Sequence, residues 1–488
     1  MTGRPKCLIS TVVWGDRHVG AFLDLNVPTL LAEGNLPAFA ARIDTIYVIH
    51  TPRADRQRMR RSCTFQRLQT LIDLRFEGDF SGRDISDPIQ THQAVWWESI
   101  NAARRERRFI MLMPPDVVWS DGSLRHLAGL IEAGKKAIIV SWHLRAIGES
   151  FVPEFLNRYR GRTPTIAVPG RDLVRLTLEH VHPISAASRR ASTAMPYHPE
   201  MIFWPVRGQG VIMHSLAMTP FLFDPGSVWL TSQKLIAGID DPRKLHVVDD
   251  SDDVYAVSLA EVTKDSTWYH RNQRVDPVEI ARWWMRYDSP VNDAVVIKPV
   301  RLRFDRSDEA AWRREEQSAR LFVRRITQAR ELFRIFCVAK RLGCTNAAAL
   351  IAAALYMGIA AYVMRNPEPV TVFLPDDEAS RMAWVSVLDG LVDPTMRRAL
   401  IRFFRSHMVR TSRLPPDLKV PPGLITRVLS ENQEALTITH GDQITVNDVP
   451  VIGPFKGAGN NTVYVAAGFI TRPVTSIMAR TLGWQCTA

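Results

Sequence analysis

The chain has 488 residues, 46% of them hydrophobic, so it can bury substantial cores and is long enough for two to four domains. Its net charge of +12 suits anionic partners, namely nucleic acid, an anionic membrane face or phosphorylated small molecules, and carries no information on fold. Five scattered cysteines (Cys7, Cys63, Cys337, Cys344 and Cys486) include no CxxC pair, which argues against a disulfide framework or a structural zinc site. A reducing compartment is expected. The N-terminal MTGRPKCLISTVVWGDR has too short an apolar core and too early a charge for a secretory signal, so a cytoplasmic protein is expected. Zinc fingers, RNA-recognition signatures and basic-zipper heptads are absent from the sequence, which counts against nucleic acid as the partner.

The first ~260 residues alternate short apolar runs with helical patterns, as an α/β sheet with crossover helices requires. Cys7 to Trp14 reads as the first strand, and Ala21 to Leu31 as a helix stopped by Gly34. Ile43 to His50 is the second strand, Arg53 to Ile72 is helical, and Leu71 to Phe76 begins another strand. The helix Thr91 to Arg107 leads into an apolar strand, Phe109 to Met113, and Ala137 to Trp142 follows as the next strand. Further on, Met201 to Val206 and Val211 to Ser215 flank a Gly208-Gln209-Gly210 turn. Leu245 to Val248 is a strand that ends in the acidic run Asp249 to Asp253.

Residues 301–345 differ in kind, with 12 Lys+Arg against 6 Asp+Glu. Phe322, Ile326, Ala329, Phe333 and Phe336 fall at helical spacing, which predicts an amphipathic helix on a core or, alternatively, on a membrane surface. Residues 347–364 form an 18-residue run without a charge, at the lower limit for a membrane span. Its many alanines favour a closely packed buried helix. Residues 430–470 turn to short strands. The expected domains are thus 1–295, an α/β sheet domain, and 296–488, a mostly helical α+β domain with a small β portion.

One stretch hints at chemistry. After the buried strand the chain breaks at Pro114-Pro115, presents Asp116, and re-enters the fold through Ser120-Asp121-Gly122. An acid at the end of a buried strand is where α/β enzymes commonly hold a metal-bound or phosphorylated ligand. Asp121 is either a second such acid or the cap of the following helix. No P-loop, GxSxG elbow, HExxH helix or GxGxxG turn occurs.

Helix, buried strand, terminal acid and Ser-Asp-Gly-Ser-Leu together resemble the centre of GT-A-fold glycosyltransferases, and the resemblance covers residues 5–260. Where that family places an Asp-x-Asp motif, this chain has the single Asp116. The resemblance implies a Rossmann-like mixed sheet that moves a sugar from a nucleotide-sugar donor to a glycan, lipid-linked or protein acceptor. It further implies that Trp14, Gly15, Asp16 and Asp116 contact the nucleotide, and that Mn2+ or Mg2+ is held by Asp116 and a late histidine, His214 or His246. Asp250 or Asp252 would then be the catalytic base. Arg53, first of five arginines in nine residues, would share the diphosphate's charge, although such a run also suits a solvated helix face. His180, His182, His198 and Glu200 are candidates for an acceptor cleft. The C-terminal region would serve acceptor binding, homo-oligomer formation or membrane association. Two rival readings remain open, a non-catalytic scaffold and a basic membrane-surface or nucleic-acid-binding protein.

Overall fold

The computed structural model describes residues 3–78, 87–140, 144–216, 220–228, 242–262, 270–287, 290–305, 308–365, 368–378, 394–418, 421 and 425–471. Cys486 and the Trp142 end of the expected strand Ala137 to Trp142 lie outside them. The chain is mixed α/β and divides into two compact units. The first comprises Met1–Val275 and Tyr287–Arg320, the second Asp276–Arg286 and Leu321–Ala488.

The first unit contains β1 (Lys6–Val12), β2 (Asp44–His50), β3 (Asp73–Glu77), β4 (Phe109–Leu112), β5 (Val117–Trp119), β6 (Ala137–Ile139) and β7 (Arg145–Ile147). It continues with β8 (Met195–Pro196), β9 (Met201–Val206), β10 (Gly210–Ser215), β11 (Leu222–Phe223), β12 (Leu245–Val247), β13 (Ala256–Ala260), β14 (His270–Arg271) and β15 (Val300–Arg303). Its main sheet has the order β12-β6-β11-β4-β1-β2-β3. Only the two-residue β11 runs antiparallel to its neighbours.

The apolar runs explain this arrangement. A strand that is hydrophobic on both faces needs cover on both faces, which parallel sheets with crossover helices supply. The side chains alternate as the pleat requires. Leu8, Ile46, Val48, Ile110 and Leu112 enter one apolar layer, and Ile9, Tyr47, Ile49, Met111 and Met113 enter the other. The helix Pro88–Arg105 packs against β1 and β4. Asp87 caps it by accepting from the Ile89 and Gln90 amides at 3.0 Å, with proline at the first position. Smaller sheets β15-β10-β9 and β5-β13-β7 complete the unit with the pair β14-β8.

The second unit carries β16 (Val370–Pro375), β17 (Met408–Arg410), β18 (Ile425–Leu429), β19 (Ala435–His440), β20 (Ile444–Val446), β21 (Val449–Ala458) and β22 (Asn461–Ala466). They form one near-barrel sheet of order β17-β16-β22-β21-β20-β19-β18, parallel only between β16 and β22. Phe373, Val409, Leu436, Ile438, Val451 and Tyr464 fill its core.

Two expectations change in detail. In the helix Glu309–Arg341, Phe333 and Phe336 are only half-buried, and Leu332, Ile335 and Val338 take the core positions. The charge-free run becomes two helices, Thr345–Tyr356 and Ala360–Val363, parted at Gly358 with φ of 64°. Twelve residues span about 18 Å, well short of a bilayer core. Among the described residues no helix is long and apolar enough to cross a membrane.

Candidate active site

Strands β1, β2 and β4 are parallel, so their carboxyl ends share one edge of the sheet. From β1 the chain builds β2 and β3 on one side and then returns to place β4 on the other. The order therefore reverses between β1 and β4, and such a switch point leaves a crevice outside the carboxyl ends of the strands. A cleft of about 270 Å³ opens there, lined by Val12 at the end of β1 and Trp14 beyond it, Pro115 and Asp116 after β4, and His18 and His92.

Asp116 is held by its main chain, whose carbonyl accepts from the Leu259 amide of β13 at 3.3 Å. Burial pushes its carboxyl above the usual carboxylate range, while its own backbone, His18, Arg17 and Arg145 pull the other way. His92 projects from the helix Pro88–Arg105 with its ring 4.2 Å from that of Trp96. Its Nε2 is buried and has no hydrogen-bond partner among the described residues. Burial, helped by His18 and His50, lowers its pKa to about 4, so the imidazole is neutral at pH 7. Beneath, His50 Nε2 lies 3.0 Å from Ser99 Oγ, which lies 2.8 Å from Ser10 Oγ.

Of the residues singled out from sequence, the structure brings Trp14 and Asp116 together in this cleft. Gly15 and Asp16 lie in the adjoining loop, where the Gly15 amide donates to Asp55 Oδ2 at 3.0 Å and the exposed Asp16 pairs with Arg58 at 2.7 Å. Arg53 opens the exposed helix Arg53–Arg60 and does not line the cleft. Arg56 and Arg60 of that helix lie over the Phe76 ring, 5.0 and 5.4 Å from its centroid.

The two candidate bases are engaged elsewhere. Asp250 accepts from Arg303 Nε at 2.8 Å and from the Asp252 amide at 3.1 Å. Asp252 takes both arms of Arg171, at 2.9 and 2.7 Å, and that guanidinium holds its carboxyl below the usual range. A carboxylate so stabilised is a weak base. Asp121 Oδ1 accepts from the Gly34 amide at 2.8 Å, and Gly122 occupies the cap position of the helix Ser123–Glu132. Gly34 is required there, since a Cβ would come within 2.6 Å of that same Oδ1 and of the Gly122 nitrogen.

His214 is buried in β10 with Nδ1 donating to the Val296 carbonyl at 2.8 Å, its ring edge-on to Trp204. Burial pushes its pKa down. This places it in the β15-β10-β9 sheet, whereas Asp116 follows β4 of the main sheet. A hard divalent cation takes six or more oxygens. The cleft offers one carboxylate, and among the described residues no three His, Cys, Asp or Glu side chains come together around a common point. Among the described residues the cleft supplies a single carboxylate, so a magnesium or manganese ion there would take its other oxygens from water and the substrate's diphosphate.

A second cleft of about 200 Å³ is lined by Arg145, Ser185, Ser188, His198, Glu200 and Met201. Arg145 Nη2 stands 3.8 Å from Glu200 Oε2. His198 and Glu200 thus reach a common cavity, whereas His182 caps the helix Pro183–Ala186 and His180 pairs with Glu154 at 2.7 Å. Sequence reading overlooked His18, His92 and Arg145. For His92 a signal existed, because His92, Trp96 and Ser99 share one helix face at spacings of four and three.

Residues 343–470 match the Fasciclin domain family. That stretch lies within the second unit and includes β16 to β22. No curated protein matches the chain.

Proposed function

We propose that the first unit is a nucleotide-sugar-dependent glycosyltransferase of GT-A type that moves a sugar to a hydroxyl acceptor. The observation that carries this reading is the cleft at the β1/β4 switch point, with a single acid, Asp116, at the end of β4. Trp14 offers a ring for the nucleotide base, and His18 a donor for phosphate oxygens. Asp116 is the base. The charge of Arg145, which lines the second cleft, bears on it, and that cavity, with Ser185, His198 and Glu200, would take the acceptor. Its raised pKa suits proton abstraction nearer neutrality than an ordinary carboxylate does. The acceptor hydroxyl gives its proton to Asp116, its oxygen bonds to the anomeric carbon, and the bond to the diphosphate breaks.

The test uses the full chain with a panel of nucleoside diphosphates and nucleotide sugars. A matching nucleotide at 100 times its Kd should stabilise the fold by about 2.7 kcal/mol. Asp116→Asn should lower turnover by about 10²–10⁴-fold and keep that thermal shift. The acid limb of kcat/KM should fall above the ordinary aspartate value of about 3.9. A panel without any shift, or a fully active Asp116→Asn enzyme, would reject the reading.

For the second unit we propose a non-catalytic binding role, supported by the match to a family whose members often mediate adhesion. A concentration series in sedimentation velocity checks one form of it, self-association. A strictly monomeric chain would speak against that form.

A further inference from the structure

A protein surface that meets an anionic bilayer combines cations for the headgroups with a few exposed apolar or aromatic side chains for the boundary beneath them. The second unit carries such a face. Its segments 321–330, 345–365 and 394–406 contain eight arginines and no Asp, Glu or Lys. Three of those arginines serve the fold: Arg330 is buried on the Trp284 ring, Arg402 pairs with Glu434 at 3.3 Å, and Arg405 donates to the Glu431 carbonyl. The other five, Arg324, Arg325, Arg365, Arg397 and Arg398, are exposed. Deepening the binding role proposed above for this unit, and resting on it, we infer that Leu321, Arg324, Tyr362, Arg365 and Arg397 form a docking face for a membrane surface of anionic lipid.

Contacts within the unit join these five residues into one surface. Arg324 Nη2 donates to the Arg365 carbonyl at 2.7 Å, which ties the helix Glu309–Arg341 to the end of the charge-free run. Leu321 lies three residues before Arg324, on the same side of that helix. Tyr362 lies three residues before Arg365, and the Arg397 guanidinium stands over its ring, 5.7 Å from the centroid. The helix Pro394–Ser406, which carries Arg397, packs against Ala360–Val363. Leu400, Phe403 and Phe404 are its buried side, which leaves Arg397 and Arg398 outside. Leu321 and Tyr362 are each 57% exposed, although their neighbours Phe322 and Val363 are buried. An exposed aliphatic chain and an exposed ring among arginines suit the headgroup boundary, where tyrosine is enriched. A soluble polyanion would make no use of Leu321. Glu368, the acid nearest Arg365 in sequence, pairs with Arg410 at 3.6 Å.

The experiment is co-sedimentation of the full chain with vesicles of phosphatidylcholine, alone or mixed with phosphatidylserine, at about 0.1 M and about 0.5 M salt. The chain should partition onto the phosphatidylserine vesicles at the lower salt and leave them at the higher. At the lower salt the triple variant Arg324→Gln, Arg365→Gln, Arg397→Gln should weaken partition about 100-fold, at about fivefold for each cation lost. The double variant Leu321→Ser, Tyr362→Ser keeps every arginine and should weaken it about tenfold. Melting temperatures should stay near wild type because the altered side chains are exposed. If the triple variant melts lower, Arg397→Glu alone carries the charge test. Undiminished partition of the arginine variants would overturn the inference and place the contact elsewhere on this basic chain. Full binding by the double variant would overturn it in favour of a soluble polyanion, and equal partition onto phosphatidylcholine alone would overturn it too. If wild type binds neither vesicle the inference falls. Self-association in the sedimentation series would then leave the unit's binding role standing, and its absence would remove both.

Discussion

Each unit buries a neutral histidine, and the two could hardly be placed more differently. His92 of the first unit and His407 of the second both have pKa values lowered to about 4 by burial. In His407, Nδ1 donates to the Phe403 carbonyl at 2.9 Å, and the ring is enclosed by Phe403 and Phe469, with centroids 4.6 and 6.0 Å away. His92 turns its ring to a cleft at the carboxyl edge of a parallel sheet. The difference follows from architecture. In the second unit protein groups complete the buried polar atoms, as Glu331 of the helix Glu309–Arg341, bridging Arg334 and Asn461, also shows. A parallel sheet with a switch point leaves polar groups at an open crevice, where a ligand can complete them.

The comparison breaks most sharply at Gly210. This residue begins β10 between β9 and β15, and a Cβ there would collide with the Leu302 carbonyl and come within 3.0 Å of Trp312. Backbone cannot yield as a flexible side chain does. Gly210→Ala should therefore cost about 4 kcal/mol. Hydrogen exchange should show amides of β9, β10 and β15 losing protection while those of β16 to β22 keep theirs. Equal loss in both units would show that the two are not separate cooperative structures.

A gentler test titrates the two histidines. Unfolded histidine binds a proton near pH 6.5, and these folded ones refuse it until about pH 4. Stability should be complete above pH 6.5 and fall as the pH drops towards 4, by up to about 3 kcal/mol for each. A bound nucleoside diphosphate should raise the pKa of His92, because an anion favours the imidazolium, and leave His407 unmoved. NMR titration of the two rings with and without nucleotide reads this directly. Equal response of both would remove the distinction between them.

Much of the first unit was legible because its signals are local. Parallel strands buried on both faces are unbroken apolar runs, so β1, β2 and β4 stand out from Leu8, Ile46 and Ile110 outward. Proline and an acid after β4 marked Asp116. The roles of Asp250 and Asp252 were not legible, because their partners Arg303 and Arg171 lie 53 and 81 residues away and nothing local announces them. His214 has the same character, since its partner Val296 is 82 residues distant. The excursion of 276–286 into the second unit left no composition shift either, and Trp284 is explained only by Arg330, stacked on it at 3.9 Å. Residues 430–470 were legible as short strands but not as a closing sheet, because register between strands is a long-range property.

The smallest expected effect bears most directly on the site. Asp116 is a carboxylate that burial pushes towards its neutral form, so its charge opposes folding. Below the unfolded value near pH 3.9 both states are protonated and the opposition vanishes. As the pH rises through the higher folded value the carboxylate must ionise against its surroundings, and stability is lost. Asp116→Asn keeps the shape and removes the charge. It should therefore melt roughly 2 °C above wild type at pH 7, with the gain shrinking towards pH 4. A variant that is inactive yet more stable is what a strained functional group predicts. A lower melting temperature at pH 7 would mean that Arg17, His18 and Arg145 already compensate the carboxylate in full, leaving Asp116 a structural ion-pair partner.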